Sequence, residues 1–184
     1  MSDAASTLCE LAQAGDREAA GELVSLFYER LYAWLRRLAG SEEDAADLTQ
    51  KTFARAWAAL GSWEGRSSFS TWLHGIGHHV YVDWRRAQPP AAVPLDEWWA
   101  HCPDDAPDPF QTAAERDLAE RLFAHVERLD EDTRQTVHLH YYQGLSLAET
   151  ADVLGVATST VKYRLRQALD FLKTRFAEPK APVR

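Results

Sequence analysis

Residues 145–172, LSLAETADVLGVATSTVKYRLRQALDFL, give the most specific structural signal in the chain. Ser146 is followed three residues later by Glu149, a capping-box spacing that predicts the start of a helix. Gly155 suits the left-handed turn that ends a helix, because it lacks a Cβ. Apolar residues then return at helical spacing from Val161 onward. Two helices joined by such a turn predict a helix-turn-helix.

Helical periodicity divides the side chains of this motif between a buried face and an exposed face. The residues expected to point inward are Ala148, Ala151, Leu154, Val161, Leu165, Ala168, Leu169 and Leu172. The direction opposite the second apolar stripe, at about 100° per residue, holds Ser159, Tyr163 and Gln167, flanked by Lys162, Arg164 and Arg166. Gln and Arg can hydrogen-bond base edges, and Lys and Arg can hold phosphates. The pattern favours DNA binding over its alternative, a solvated polar face on a three-helix bundle.

Helical spacing continues on both sides of the motif. It predicts helices over about 115–128 and 130–142, the first with Leu118, Leu122, Val126 and Leu129 inward. In the N-terminal half, Asp16 and Ser41 are typical helix caps, and Ser70 or Thr71 is expected to cap a third helix. The inward residues predicted for these three helices are Ala20, Leu23, Phe27, Leu31, Trp34, Leu38, Leu48, Thr52, Phe53, Ala56, Leu60, Leu73, Ile76, Val80 and Trp84. No segment of the sequence shows a convincing strand alternation, so the prediction is an all-α fold.

Residues 89–113 differ in composition from the rest of the chain. This segment contains six prolines, which remove backbone donors and block helices. It also has no Lys or Arg, and its five acids are Asp96, Glu97, Asp104, Asp105 and Asp108. We therefore expect an extended acidic linker at 89–113, between an N-terminal helical domain at 1–88 and a C-terminal helical domain at 114–178.

Composition excludes several classes of protein. With 184 residues, 46% of them apolar, the chain is long and apolar enough to pack one or two domains rather than remain disordered. It has no run of about 18 apolar residues, so no membrane span is expected, and the N-terminus does not resemble a secretory signal. Cys9 and Cys102 lie far apart, which favours a reduced, cytoplasmic protein. The formal net charge of −8 predicts weak DNA binding by the isolated protein.

Residues 69–86, FSTWLHGIGHHVYVDWRR, interleave aromatic and basic side chains in a way that suits nucleic acid. We expect Trp72 to lie in the core rather than on a stacking surface. His74 and His78 are four residues apart, which is also a spacing used to bind zinc on a helix. Further ligands are lacking nearby in sequence, although His101 and Cys102 could approach. We therefore expect no metal and no cofactor.

Three segments, in order, resemble the extracytoplasmic-function type of bacterial sigma factor. LAETADVLGV followed by TVKYRLRQAL, within residues 147–169, is similar to the promoter-reading end of that family. DAADLTQKTFARAW, residues 44–57, resembles its core-polymerase-binding helix, and residues 69–86 resemble its helix that reads and opens the −10 element. The resemblance implies sigma region 2 at 1–88 and sigma region 4 at 114–178.

The resemblance also implies a function and partners. Such a protein binds core RNA polymerase at the clamp helices of the largest subunit and at the flap. It directs the polymerase to promoter DNA through the −35 and −10 elements and helps to open the duplex. An anti-sigma factor is a further candidate partner, and no membrane contact is implied.

The family's functional positions fall on three sets of residues. The set for core polymerase is Asp47, Gln50, Lys51, Ala54 and Trp57, although periodicity alone is equally compatible with Trp57 in the core. The set for the −10 element is Arg66, Ser67, Ser68, Phe69, His79, Arg85 and Arg86. The set for the −35 element is Ser159, Thr160, Lys162, Tyr163, Arg164, Arg166 and Gln167. We expect Arg166 and Gln167 to contact base edges, Lys162 and Arg164 to hold phosphates, and His79 to donate to a base.

Two other functions remain open from the residues themselves. A stand-alone helix-turn-helix regulator, whose N-terminal domain senses a ligand or dimerises, would bind duplex DNA alone and start no transcription. A structural helical adaptor would bind no DNA. The sequence has no Gly-rich phosphate loop, nucleophile elbow or paired-carboxylate pattern, so we expect no enzymatic activity in the chain itself.

Overall fold

The computed structural model describes residues 2–88 and 113–177, and it describes side chains at 4–88, 118 and 121–176. The N-terminal helices are α1 (Ser2–Gln13), α2 (Arg17–Ala39), α3 (Glu42–Ala59) and α4 (Phe69–Ala87), with a short 3-10 turn at Leu60–Ser62. The C-terminal helices are α5 (Ala113–Val126), α6 (Glu131–Val137), α7 (Leu147–Leu154) and α8 (Thr158–Ala177), with a π turn at His138–Tyr142. Over these two ranges there is no strand, so the all-α prediction is confirmed. The acids of the predicted linker, and also His101 and Cys102, lie outside the described residues.

Side-chain caps set the starts of the N-terminal helices. Asp16 accepts hydrogen bonds from the backbone of Glu18 and Ala19, and Ser41 accepts one from Asp44, as the sequence predicts. Helix α4 starts earlier than predicted, because its cap is Ser68 rather than Ser70 or Thr71. The Ser68 hydroxyl accepts the backbone N–H of Thr71 at 3.1 Å.

The N-terminal core forms where α2, α3 and α4 meet. Leu31, Trp34, Leu48 and Leu73 are fully buried there. Gly77 allows α4 to lie close to α2, since a Cβ at this position would lie 3.0 Å from the Trp34 ring. Helix α1 was not predicted, because it packs through the small residues Ala5 and Cys9 rather than through a stripe of large ones.

The helix-turn-helix is present as predicted. Ser146 and Glu149 form a complete capping box, and Gly155 ends α7 with φ 64°. Val161, Leu165 and Ala168 of α8 are buried.

Some of the predicted inward positions in the C-terminal domain are wrong. Ala148, Leu118, Leu122 and Leu169 are exposed. In α5 the buried face turns toward Phe123 and Val126 instead. Phe123 packs under the Arg37 guanidinium of α2, 4.2 Å from its ring centre, so the N-terminal domain supplies part of the packing surface of α5.

The two helical domains pack against each other. Helix α4 lies on α7, and the buried residues Leu139, Leu145 and Val153 of the C-terminal domain join the core of the N-terminal domain. Arg30 of α2 donates a 2.6 Å hydrogen bond to the carbonyl of Gln143. The domains predicted to read the −10 and the −35 elements are therefore in contact in this arrangement.

Candidate nucleic-acid and polymerase interfaces

Helix α8 presents a row of donors away from its core. Lys162, Tyr163, Arg166 and Gln167 are exposed, and Tyr163 is 61% exposed. Gln167 Nε2 donates a 3.0 Å hydrogen bond to the Tyr163 hydroxyl. That bond engages the amide nitrogen of Gln167 and not its carbonyl oxygen. At the start of the helix, the predicted Ser159 is exposed and Thr160 is half-buried.

Arg164 differs from the rest of the predicted −35 set. Its side chain is only 16% exposed, and its guanidinium is ion-paired with Asp132 of α6. The phosphate role of Arg164 stays a prediction, and in this structure the guanidinium already has a partner within the C-terminal domain. This pair ties the second helix of the helix-turn-helix to the helix before it.

The loop before α4 places the predicted −10 residues in different environments. Arg66 is exposed and pairs with Glu64 at 2.5 Å. Ser67 and Ser68 are half-buried, and Ser68 caps α4. Phe69 is 2% exposed, with its ring 5.1 Å from that of Phe27. Phe69 therefore belongs to the core, and the prediction that its side chain contacts DNA is corrected.

A pocket of about 310 Å³ lies along α4. Its lining includes Ser67, Trp72 and His79 from the N-terminal domain. Asp152 and Val153 of α7 close the other side. Trp72 is half-buried and packs beside Phe69, with ring centres 5.6 Å apart. A flat ring, a hydroxyl and an imidazole around one pocket form a surface suited to an unpaired base.

The ring nitrogen of His79 that its own helix does not engage is Nε2. The other nitrogen, Nδ1, lies 2.7 Å from the carbonyl oxygen of Gly75, which can only accept, so Nδ1 bears the proton. In the neutral ring this leaves Nε2 as a hydrogen-bond acceptor. Amino groups of adenine or cytosine are the base atoms that match it.

The basic end of α4 lies beside an acid of the other domain. Arg85 Nε is 4.0 Å from Glu131, and the Tyr81 hydroxyl donates to the same carboxylate at 2.6 Å. Arg86 is exposed. Of the two arginines predicted to hold phosphates, Arg86 faces solvent and Arg85 faces a carboxylate in this arrangement.

Two histidines are buried near the junction of the two domains. Burial lowers the pKa of His74 on α4 and the pKa of His138 in the π turn. His138 Nε2 lies 3.2 Å from Glu127, and because burial keeps the ring neutral, this contact is a hydrogen bond rather than an ion pair. His74 Nδ1 bonds the Ser70 carbonyl at 2.7 Å. Across the described ranges no three His, Cys, Asp or Glu residues come together as a metal site.

The outer face of α3 holds the predicted core-polymerase set. Asp47, Gln50, Lys51 and Ala54 are exposed, and Lys51 pairs with Asp47 at 2.5 Å. Trp57 is half-buried beside Phe53, with ring centres 6.4 Å apart. Its indole is therefore partly packed in the domain and partly exposed.

Sequence reasoning missed the acids that join the helices. Glu131, Asp132 and Glu149 each contact a side chain at least 32 residues away in sequence. Only Glu149 gave a signal, as part of a capping box, and that signal predicted a local role alone. None of the helices in the described parts is long and apolar enough to cross a membrane.

Comparison with protein families gives two matches in order along the chain. The model of sigma-70 region 2 matches residues 23–89, and that of sigma-70, region 4 matches residues 120–172. The chain is 32% identical to the ECF RNA polymerase sigma factor SigF of Caulobacter vibrioides over 163 residues, which span 88% of this chain and 87% of that relative. It is 25% identical to the ECF RNA polymerase sigma factor SigW of Bacillus subtilis, across 89% of this chain and 92% of SigW.

Two solved structures are similar to this fold. CnrH, in complex with the cytosolic domain of CnrY, matches with a TM-score of 0.68 and 26% identity, over 94% of this chain and 97% of CnrH. The sigma factor RpoE of Bartonella quintana, in complex with the anti-sigma factor NepR, matches with a TM-score of 0.63 at 20% identity, over 87% of this chain and 98% of RpoE. At that identity the second match speaks for the fold alone.

Proposed function

This chain belongs to the ECF RNA polymerase sigma factors, and from that membership we propose that its two domains divide promoter recognition between them. It binds core RNA polymerase and directs promoter-specific initiation of transcription. The observation that supports this most strongly is the SigF match, which spans both domains and both sigma regions in order. We assign 1–88 to region 2, 89–113 to the linker and 114–178 to region 4.

The test of the whole function is transcription by purified core polymerase with and without the chain. We expect run-off transcript from a cognate promoter only when the chain is added. A stand-alone regulator would instead bind duplex DNA by itself and yield no transcript. We propose that the chain acts in the cytoplasm with bacterial polymerase, catalyses no reaction itself and uses no cofactor.

We propose that α8 reads the −35 element in the major groove. Gln167 and Arg166 face outward with free hydrogen-bonding atoms, and Lys162 lies at the margin where a phosphate would pass. Binding of holoenzyme to a library of −35 variants tests the assignment. Gln167→Ala should relax preference at one or two base pairs, at a cost of about 1–3 kcal/mol. Lys162→Ala should weaken all promoters alike and flatten the salt dependence by about one contact.

We propose that the pocket beside His79 receives an unpaired base of the −10 element. The supporting geometry is the pocket itself, whose lining includes Trp72, Ser67 and His79. Permanganate reactivity of −10 thymines in holoenzyme complexes tests this role. His79→Ala should reduce duplex opening while −35 binding persists. Asp83→Ala, on the exposed side of the same helix, is the control and should open the promoter normally.

We propose that the outer face of α3 docks on the polymerase clamp helices. Ala54 is exposed at the centre of this face, so Ala54→Arg adds bulk to the contact without altering the core. We expect affinity for core polymerase to fall about tenfold or more. Glu22→Arg on α2, also exposed, is the control and should bind as the wild type does. Equal affinities for the two variants would remove α3 from the docking surface.

The structural relatives suggest an additional partner. CnrH, at 26% identity, was solved in complex with the cytosolic domain of CnrY, and the structural neighbours of this chain are sigma factors in complex with anti-sigma factors. We propose an anti-sigma factor as a partner of this chain as well. Co-purification with the product of a neighbouring gene, followed by inhibition of run-off transcription, would test this proposal.

A further inference from the structure

We propose that Gln13 of α1 is a positioning residue for promoter reading. Its side-chain amide holds the loop at 61–68 in the conformation that presents Arg66 and Ser67 to the −10 element. The functional part of this inference rests on the −10 role proposed for this part of the domain. The structural part rests on contacts within the N-terminal domain and is tested separately.

Helix α1 lies before the segment that matches the sigma-70 region 2 model. That match begins at residue 23, whereas α1 ends at Gln13. The helix is nevertheless fixed in the domain, because Ala5 and Cys9 are buried in the core where α1 packs along α2. Gln13 is therefore carried at the end of a firmly packed helix.

The Gln13 amide joins α1 to two backbone carbonyls that follow α3. Its Nε2 lies 2.8 Å from the carbonyl oxygen of Leu60 and 2.9 Å from that of Trp63. Because carbonyl oxygens can only accept, the nitrogen end of the amide faces both of them, and its two N–H groups supply one donor each. One exposed side chain therefore fixes two points of a segment that lies 47 and 50 residues later in sequence.

The two carbonyls bracket the 3-10 turn at Leu60–Ser62. The last carbonyls of an α-helix have no partner within that helix, so the end of α3 needs donors from outside it. The Trp63 N–H donates to the Leu60 carbonyl at 3.0 Å, and the Ser62 hydroxyl donates to the Ala59 carbonyl at 2.7 Å. Gln13 adds a donor on each side of the turn and thereby sets the direction in which the chain leaves α3.

Trp63 transmits this constraint to the loop that follows. Its carbonyl is bound by Gln13, and its ring packs edge-on against Phe69, with ring centres 6.3 Å apart and planes at 81°. Phe69 is buried at the start of α4. Residues 64–67 are therefore held at both ends, by Trp63 before them and by the Ser68 cap after them.

Between these fixed ends, the loop places the side chains proposed to meet the promoter. Gly65 adopts the left-handed conformation with φ 70°, and Arg66 pairs with Glu64. Both partners of that pair are mostly exposed, so it restrains the backbone weakly. Ser67 lines the pocket beside His79. Releasing the Trp63 end gives the backbone more conformations, and fewer of them keep Ser67 at the pocket.

The structural test measures how often the loop opens. Gln13→Met keeps the length and helix propensity of the side chain and removes both donors. Glu10→Met, exposed on the same helix, is the matched control. Trypsin cleavage of the folded full-length protein after Arg66, followed by mass spectrometry, reports local opening. Two lost hydrogen bonds should raise this rate about three- to tenfold, while cleavage after the exposed Lys173 of α8 stays unchanged as the internal reference.

The functional test measures base preference at the −10 element. Holoenzyme with Gln13→Met should discriminate among a library of −10 variants less sharply, by about threefold, because a misplaced loop loses part of the cost of a mismatched base. Its ranking of −35 variants should remain that of the wild type. A residue that only stabilised the fold would weaken all promoters alike and leave the −10 ranking unchanged.

Each outcome decides one part of the proposal. Cleavage after Arg66 that is as slow in Gln13→Met as in Glu10→Met would overturn the structural part. Faster cleavage with an unchanged −10 ranking would overturn the functional part. Failure of the −10 role itself is separate, because it would appear as normal promoter opening by His79→Ala holoenzyme. Failure of the proposed function would appear as no run-off transcript with the wild-type chain, and the cleavage test does not depend on it.

Discussion

At the scale of single residues, two neighbouring cations of α8 have different surroundings. Lys162 and Arg164 are two residues apart on α8, and the sequence predicts the same phosphate role for both. Lys162 is exposed, whereas Arg164 is held by Asp132. A helical wheel gives the direction of a side chain but not the acid that a preceding helix brings beside it. We therefore expect Arg164 to hold α8 in position against α6.

This difference predicts that Arg164→Ala lowers the stability of the protein and that Lys162→Ala does not. Arg164→Ala should lower the free energy of unfolding by about 0.5–1 kcal/mol, as expected for a partly exposed ion pair, and Lys162→Ala should leave it unchanged. Urea unfolding measures both. In a double-mutant cycle with Asp132→Ala, the coupling energy should be of the same size. A coupling energy of zero would show that the pair does not stabilise the domain.

Tyr163 gives a second prediction at this scale. Its hydroxyl accepts the Gln167 amide N–H at 3.0 Å and so holds the Gln167 side chain beside it. Tyr163→Phe should relax the preference of holoenzyme at the base pair that Gln167→Ala affects, with a smaller loss of affinity. Binding of each variant holoenzyme to the library of −35 sequences measures its base preference. A Tyr163→Phe ranking identical to wild type would mean that the hydroxyl does not orient Gln167.

At the scale of the helices, the sequence predicted which helices form and which residues cap them. It was less successful in predicting which face of each helix is buried. Asp16, Ser41 and Ser146 cap where expected, because a capping hydroxyl or carboxylate acts on its own backbone a few residues away. The wheel failed for Leu122, because the buried face of a helix is chosen by its neighbour in space. For α5 that neighbour includes Arg37 of the other domain. Helix α1 was missed since its buried side is formed by small residues.

Two glycines of α4 provide a matched pair at this scale. A Cβ at Gly77 would lie 3.0 Å from Trp34 and 3.3 Å from Leu31, while a Cβ at Gly75 would meet nothing within 4 Å. Gly77→Ala should destabilise the domain by about 1–3 kcal/mol through overpacking. Gly75→Ala should stabilise it by about 0.5–1 kcal/mol, because Ala favours a helix. Thermal and urea unfolding measure the change in stability for both variants. A Gly77→Ala protein as stable as the wild type would contradict the close approach of α4 to α2.

The buried histidines predict how stability depends on pH. Burial lowers the pKa of His74 and His138 in the folded protein below their usual 6.5, whereas the unfolded chain keeps ordinary values. Below about pH 6.5 the unfolded state therefore binds more protons, and folding stability falls as pH falls. Urea unfolding at pH 8 and pH 5.5 should show this loss, and His74→Gln should reduce it. An equal loss in the variant would mean that His74 is not the group responsible.

At the scale of the whole molecule, composition predicted two domains and a linker, but it could not predict that the domains dock. The docking contacts join Thr71 to Glu149 and Tyr81 to Glu131, pairs that are 78 and 50 residues apart. None of these side chains belongs to a motif that indicates a long-range partner. Three acids of the C-terminal domain, Glu131, Glu149 and Asp152, lie beside α4 in this arrangement.

The length of the linker limits how far the domains can separate. Residues 89–112 number 24, with a maximum reach of about 80 Å. Rings of α5 and α8 touch, His125 and Phe176 lying 5.4 Å apart. Residue 113, at the start of the 14-residue α5, therefore lies within about 20 Å of that contact. Elements centred near −10 and −35 lie about 25 base pairs apart, or roughly 85 Å along B-form DNA. Reading both promoter elements then requires the linker to span roughly 60 Å, which 24 residues can do and 12 residues, reaching about 40 Å, cannot.

Deleting residues 95–106 should therefore abolish transcription from promoters that need both elements. Replacing the same 12 residues with Gly and Ser preserves the length and removes four of the acids, Asp96, Glu97, Asp104 and Asp105. If the segment acts only as a tether, this replacement should transcribe as the wild type does. If its negative charge acts near a basic channel of the polymerase, the replacement should raise the ratio of abortive to full-length transcripts. Lysines at Asp104, Asp105 and Asp108 should raise that ratio further, because they reverse the charge, and run-off assays that resolve short products separate the two roles.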